Sequence, residues 1–299
     1  HKHSEYRKRI DMIRELTDVL ISGITNGSVY AIMAVGMALV YGVTRVFNFA
    51  YGSFYSMGGY LAWVFLKVKV GYLFAIILVI PLLFLAGLAT EKFAVRPLRE
   101  RKDWEMMALM ATLGLALFLD NLYLVAFGPF VKSLPLILEG QANLGGFVFA
   151  FQDILILLIA VFIMIGFMLF LGRTRLGMSV RAVAQNVSGA QIVGVAKDRV
   201  FGFTFAISAV LVGSGGILLA PKYFVSPLGG WEILVKAWVI TAFGGMGSIK
   251  GSLYAAFILG IVEALVGWQF GFTWTLFAWV AILLITLIVR PQGLLGTWG

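Results

Sequence analysis

The chain has 299 residues, 61% of them hydrophobic and only 12% charged, with a formal net charge of +9. A soluble globular chain is about half apolar and a quarter charged, so a mean hydropathy of +0.98 excludes a soluble enzyme and places the protein in a bilayer. With no cysteine, and with histidine only at His1 and His3, the sequence excludes disulfides, thiolate metal sites and cysteine nucleophiles. It also offers no histidine at membrane depth for acid–base or metal chemistry.

The tail 1–17 opens with HKHSEYRKRI, without an initiator Met. The apolar run after it is too long for a signal peptide and lacks a cleavage pattern. A helix crosses a bilayer in roughly 20 apolar residues. Nine runs qualify: 18–42, 46–66, 71–91, 105–128, 152–172, 200–221, 233–249, 251–268 and 273–290. They leave no room for a separate soluble domain, so residues 1–299 form one transmembrane domain. The fold class is an all-α polytopic membrane protein with about eight or nine transmembrane helices, some broken or re-entrant.

The second run is interrupted by NFAYGSFYSMGGY, residues 48–60. Unwound backbone at membrane depth costs several kcal/mol per unsatisfied group unless it is buried in protein or lines a wet cavity. The glycines permit such a break, and Asn48, Ser53, Tyr55 and Ser56 can satisfy freed groups or face a substrate. The competing reading is that the glycines let helices pack closely. The second half carries a counterpart, TAFGGMGSIKGS at 241–252, and paired glycine breaks in two halves point to a transporter's binding site. Segments 48–56 and 243–248 are therefore expected to meet near the membrane middle and form part of a translocation path. Its candidate residues are Asn48, Phe49, Tyr51, Gly52, Ser53, Phe243, Gly244, Gly245 and Gly247. GGMGSIKG lacks the G-x-x-x-x-G-K-[ST] spacing of a phosphate loop, so the chain has no recognisable nucleotide motif.

Small-residue stripes precede both breaks: Gly23, Gly27 and Ala31 in one span; Gly202, Ala206, Ala209, Gly213 and Gly216 in the other. The correspondence suggests two inverted halves. Lys and Arg gather at 91–105 and 172–199, which places both loops on the cytoplasmic side, together with Arg290 and the C-terminus. Loops 129–151 and 222–232 then face outward, the first with two short apolar runs around a Gly/Asn turn, read as a hairpin. The N-terminus is contested. Span counting and inverted halves put it outside, the basic tail favours the inside, and a re-entrant 46–66 would reconcile the latter.

In the basic loop 173–198, Val180, Val183, Ala184, Val187 and Ala190 recur at helical spacing, with Arg181, Gln185, Asn186, Ser188 and Gln191 elsewhere. This is a short amphipathic helix. Few basic residues and no aromatic anchors argue against a lipid-lying helix, so its apolar face suits docking on another protein. Three polar groups lie within spans: Asp120, Asn121 and Glu263. A charge there costs roughly 2.5–3.5 kcal/mol even on the mildest scale and so faces protein or water. Glu263 borders a stripe of Ser252, Ala256, Gly260 and Ala264, which assigns it to helix or subunit packing ahead of substrate contact. Asp120 is structural on the same grounds.

RAVAQNVSGAQIVGVAKDRV resembles the cytoplasmic coupling loop of ABC-importer permeases, with Gly194 at the loop's glycine. GSVYAIMAVGMALVYGVTRVFNFAYG (27–52), EKFAVRPLR (91–99), FLDN (118–121), AFGGMGSIKG (242–251), ILGIVEAL (258–265) and RPQGLLG (290–296) together resemble branched-chain amino acid permeases of the LivH type, over almost the whole chain. Tyr51 stands where that family usually has His, which bears on cargo. Gln185-Asn186 stand where an acidic residue is common. The resemblance implies a non-enzymatic permease subunit of a binding-protein-dependent importer in a bacterial inner membrane. Its partners would be a second homologous permease, two cytoplasmic ABC ATPases that hold the ATP and Mg, an external substrate-binding protein and the lipid bilayer, with no nucleic acid. Branched-chain amino acids are the leading cargo. The alternatives are urea or short amides, and an ion-driven amino acid carrier. Coupling would fall to Arg181, Ala184, Gln185, Asn186, Ala190 and Gly194. No cofactor is expected in this chain.

Overall fold

The computed structural model describes residues 2–144 and 147–296. In a bilayer only a helix or a closed barrel pairs all its backbone groups internally, and the apolar runs accordingly fold as helices. They are α1 (Lys2–Thr44), α2 (Tyr51–Lys67), α3 (Tyr72–Ala89), α4 (Trp104–Phe127), α5 (Phe151–Arg173), α6 (Arg175–Gln185), α7 (Val187–Ile192), α8 (Lys197–Leu219), α9 (Gly230–Gly244), α10 (Ile249–Phe270) and α11 (Thr273–Val289). A π-helical turn, Thr90–Val95, and a 3-10 turn, Arg96–Leu98, prolong α3. Strands β1 (Gln141–Leu144) and β2 (Phe147–Ala150) pair antiparallel, Gln141 with Ala150 and Leu144 with Phe147, as the expected hairpin.

The all-α polytopic class holds. Among the described residues nine helices correspond to the nine runs, and α6 and α7 occupy the basic loop. The tail expected over 1–17 is instead helical from Lys2, continuous with α1. Among the described residues six helices are long and apolar enough to cross a membrane. The other three, α2, α9 and α11, have only 17, 15 and 17 residues.

Helices α1 and α8 form the centre. Their most apolar windows are 89% and 83% buried, against 28–33% for α3, α4, α5 and α10, whose outer sides present Phe74, Val125, Phe162 and similar groups to lipid. The small-residue stripes are the close interfaces. Gly23 and Gly27 of α1 rest on Ala256, Gly260 and Ala264 of α10, and Gly87 of α3 rests on Ala206 and Ala209 of α8. Exchanging α1–α4 for α8–α11 reproduces this packing: α1 lies on α10 as α8 lies on α3, and α2 lies on α8 as α9 lies on α1. The first helix of one half ends at the basic face and that of the other begins there, so the halves are inverted.

The breaks lie elsewhere than expected. Backbone leaves the helix over 45–50, starting at Arg45 (φ 61), while Gly52, Gly58 and Gly59 are helical residues of α2. The Tyr51 hydroxyl donates to the Met33 carbonyl, eleven residues before the end of α1, so 45–50 climbs back from that end and α2 starts inside the bundle. Run 46–66 is thus part extended return and part helix. The chain does leave the helix inside 241–252, between α9 and α10, but the break equivalent to 45–50 is 220–229, between α8 and α9. A Cβ on Gly52 would come inside 3.0 Å of the Gly230 carbonyl oxygen, and one on Gly230 inside 3.0 Å of the Gly52 oxygen. The two helix starts therefore abut, backbone on backbone.

This corrects the expected meeting of 48–56 with 243–248. Gly52 sits at the start of α9 and Gly244 at its end, about 21 Å apart at 1.5 Å per residue. Gly245 (φ 108) instead packs against Gly293 and Gly296 of the C-terminal segment, and Gly247 against Gly42 of α1.

Replacing Gly52 or Gly230 with Ala should lower stability by about 1–3 kcal/mol, the cost of forcing an added carbon into a packed contact. Gly114→Ala, with nothing within 4 Å, should not. Thermal unfolding in detergent reads the contrast.

Candidate functional site

A cavity of about 650 Å³ opens on the face opposite the basic loops. It is bounded by the middle of α1 (Val19, Ser22, Asn26), segment 220–229, the end of α10 and the start of α11. Its upper walls are largely apolar: Val19, Leu219, Phe224, Ile233, Trp268 and Phe272. Tyr55 and Ser56 reach it from α2.

The floor is ionic. Lys236, one turn after Glu232 on α9, contacts Glu232 at 2.8 Å and Glu263 of α10 at 2.6 Å, and donates to the Tyr30 hydroxyl of α1 at 3.1 Å. Three ammonium hydrogens thus meet three acceptors on three helices. Such a charge survives at membrane depth only when paired, and the pairing ties α9 to α1 and α10. Glu263 therefore does more than border a packed face. Lys236 was passed over in the sequence, although a lysine inside WEILVKAWVITAFG is itself the signal of an internal partner or a wet cavity.

Beside this floor, Asp120 of α4 joins the two helix starts. Ser53, next to Gly52, donates to one carboxylate oxygen at 2.7 Å, and Trp231, next to Gly230, donates to the other at 2.8 Å. The Tyr123 hydroxyl donates to the Ser53 carbonyl at 3.0 Å. A carboxylate held by the first turns of two helices also complements their positive ends. Asn121 points away and donates to its own helix at Leu117.

The remaining proposed path residues are scattered. Asn48 folds the link ahead of α2 into a turn, its side-chain oxygen accepting from the Ala50 amide at 3.0 Å. Phe49 and Phe47 pack on Trp238 with ring centroids 4.8 and 5.4 Å away. Tyr51 is wholly buried between α1 and α8. Phe243 and Gly244 offer their carbonyls to Leu294 and Leu295. None of the nine lines the cavity.

On the basic face the expected single amphipathic helix is two, α6 and α7, divided at Asn186. Thr174 and Asn186 cap them, accepting from the Gly177 and Gly189 amides at 2.9 and 2.8 Å. The orientation also differs from expectation. Val180, Val183 and Ala190 are buried against the chain's own bundle and Ala184 is half-buried. The apolar face is already occupied, because α6 runs straight on from α5 and folds back under it. The exposed surface carries Arg181, Gln185, Asn186 and Gln191, and at its tip Ile192 and Val193, 86% and 76% exposed, before Gly194 (φ 85). Beside the tip, Glu91 is buried against Arg96 and Arg99, and Arg99 reaches Asp198 at 2.7 Å and stacks on Phe201 at 4.3 Å. Among the described residues no cluster of His, Cys, Asp and Glu is placed to hold a metal ion.

The family described as "Branched-chain amino acid transport system / permease component" matches residues 19–289. The high-affinity branched-chain amino acid transport system permease protein BraD of Pseudomonas aeruginosa is 30% identical, covering 93% of this chain and 94% of its own length. The corresponding LivH protein of Escherichia coli is likewise 30% identical, with 93% and 94% covered.

Lys236→Met should cost several kcal/mol, because it leaves Glu263 buried without a counter-charge, whereas Lys236→Met/Glu263→Met should cost less than the single change. Folded yield and thermal unfolding in detergent measure this. A double variant less stable than Lys236→Met would mean that the two residues do not act as a pair.

Proposed function

Because the chain belongs to the family of branched-chain amino acid transport permease components, we propose that it is the membrane-spanning subunit of a binding-protein-dependent ABC importer for branched-chain amino acids. The observation that carries this reading is the cavity: apolar walls above an ionic floor, open on the face opposite the basic loops. Apolar walls suit an aliphatic side chain, and the ionic floor suits a zwitterion's polar end. Urea and short amides would leave the walls unused. An ion-driven carrier is disfavoured because both carboxylate oxygens of Asp120 are committed, to Ser53 and Trp231.

The basic face is cytoplasmic by the positive-inside rule, in a bacterial inner membrane, with the C-terminus inside. Since α1 runs toward that face, the N-terminus is external. An external binding protein delivers cargo over the cavity mouth, where the β1–β2 hairpin and segment 220–229 lie. Lys132, in the loop ahead of β1, and Val225 lock that loop to segment 220–229 through two backbone hydrogen bonds of 2.8 and 2.9 Å. A second, homologous permease completes the membrane part. Two ATPase subunits hold the ATP and Mg, and dock on the exposed side of α6 and α7 through Arg181, Gln185, Asn186, Ile192, Val193 and Gly194. The permease performs no covalent chemistry and needs no cofactor of its own.

Uptake by vesicles holding this chain with its partner permease and ATPases should require both internal ATP and an external binding protein. Ile192→Asp/Val193→Asp should abolish substrate-stimulated ATP hydrolysis and co-purification of the ATPases while the chain still inserts. Uptake by this chain alone on a proton or sodium gradient would overturn the reading.

A further inference from the structure

The floor of the cavity has unequal supply and demand for hydrogen bonds. Lys236 spends all three of its donors on Tyr30, Glu232 and Glu263. The second carboxylate oxygen of Glu263, Oε2, is buried and accepts from nothing, although Glu263 as a whole is only 9% exposed. Across the α1–α10 interface, Asn26 is 8% exposed. Its side-chain nitrogen donates to the Tyr223 hydroxyl at 2.9 Å, while its oxygen Oδ1 is also buried without a donor. Both residues line the same cavity. Leaving a buried acceptor unpaired costs about 1–3 kcal/mol, more for a charged one.

The charges point the same way. One lysine against Glu232 and Glu263 leaves the floor with a net charge of −1, and Glu232 remains open to the cavity, its side chain 62% exposed. A cation completes the site, and an anion would meet a lysine with no donor to spare. Tyr30 and Tyr55 line the same space, and the Tyr30 ring already lies 5.2 Å from the Lys236 ammonium, as suits an aromatic face beside a cation.

We propose that the cavity floor is a subsite for a primary ammonium group, with Glu263 Oε2 and Asn26 Oδ1 as its acceptors and Glu232 as a flanking charge. It rests on the reading of the chain as an amino acid permease and deepens it. The substrate enters amino end down, its aliphatic side chain lies along Val19, Leu219, Ile233 and Trp268, and its carboxylate stays toward the open mouth. Lys236 does not touch the carboxylate. It holds Glu263 in place through Oε1 and leaves Oε2, buried at the cavity floor, as the acceptor without a donor.

The purified full-length chain in lipid nanodiscs, without a binding protein, tests this through its own tryptophan fluorescence, since Trp268 lines the cavity. The probes are L-leucine, L-leucinamide, which keeps the ammonium but has no carboxylate, and 4-methylpentanoate, which keeps the carboxylate but has no ammonium. Leucine and leucinamide should change the fluorescence saturably at millimolar concentration, and 4-methylpentanoate should not. Glu263→Gln keeps the shape and the bond to Lys236 but turns the spare acceptor into a donor. It should weaken both amines about tenfold or more, the loss expected of a charge-assisted hydrogen bond. Asn26→Ala should weaken them less, and it provides the same readout if Glu263→Gln does not fold. Equal responses to leucine and 4-methylpentanoate, no response to any probe, or unchanged amine binding in the folded variants would each overturn the proposal. Leucine uptake by the assembled wild-type importer reports separately on the parent reading and stands or falls without this result.

Discussion

The reciprocal contact between Gly52 and Gly230 is the constraint on which the rest of the structure depends. Two helices begin inside the bundle instead of at its surface, and each start carries amides that no preceding turn can satisfy. Abutting them backbone to backbone is feasible only where neither residue has a Cβ. The residues that follow, Ser53 and Trp231, then reach the same carboxylate of Asp120, and Asn48 turns the link ahead of α2 by accepting from the Ala50 amide. A packing contact, a carboxylate and a hydrogen-bonded turn thus make broken helices tolerable at membrane depth.

Everything at the cavity floor follows from where α9 starts. Beginning at Gly230, the helix places Glu232 and Lys236 on one face, a turn apart, opposite Tyr30 and Glu263. The glycine and alanine interface of α1 with α10 brings Asn26 and Glu263 to one wall. At the other face, the buried Glu91 with Arg96, Arg99 and Asp198 fastens the end of α3 to the start of α8. The exposed tip of α7 leads directly into α8, one of the two central helices. A push on Ile192 and Val193 would therefore be transmitted to the centre of the bundle, not absorbed in a loose loop.

Much of this was legible in the sequence. Nine apolar runs became nine helices because an apolar stretch in lipid has no other way to pair its backbone. The Gly/Asn turn at 140–146 marked the hairpin, and the charge clusters marked the basic face. The location of the breaks was not legible, since glycine favours both an unwound segment and a close helix contact. Gly52, Gly58 and Gly59 serve contact, while the breaks that start α2 and α9 fall at 45–50 and 220–229, with no glycine in the first, and the glycines of 245–248 link α9 to α10. The sequence also could not show that the apolar side of 180–190 was already covered, because periodicity identifies a face but not its partner. Lys236 was legible and was overlooked among its apolar neighbours, and with it the ionic floor.

A cavity open opposite the basic loops ends at the ionic floor where α9 meets α1 and α10. The absence of cysteine from the chain makes a direct test simple. Ser226→Cys, in the cavity wall beside Gly229 and Gly230, and Gln191→Cys, on the basic face beside the α7 tip, are exposed to a membrane-impermeant maleimide in sealed vesicles of known orientation. Ser226→Cys should be labelled only from the external side and Gln191→Cys only from the cytoplasmic side. Labelling of both from the same side, or of Ser226→Cys only from the cytoplasmic side, would contradict this account.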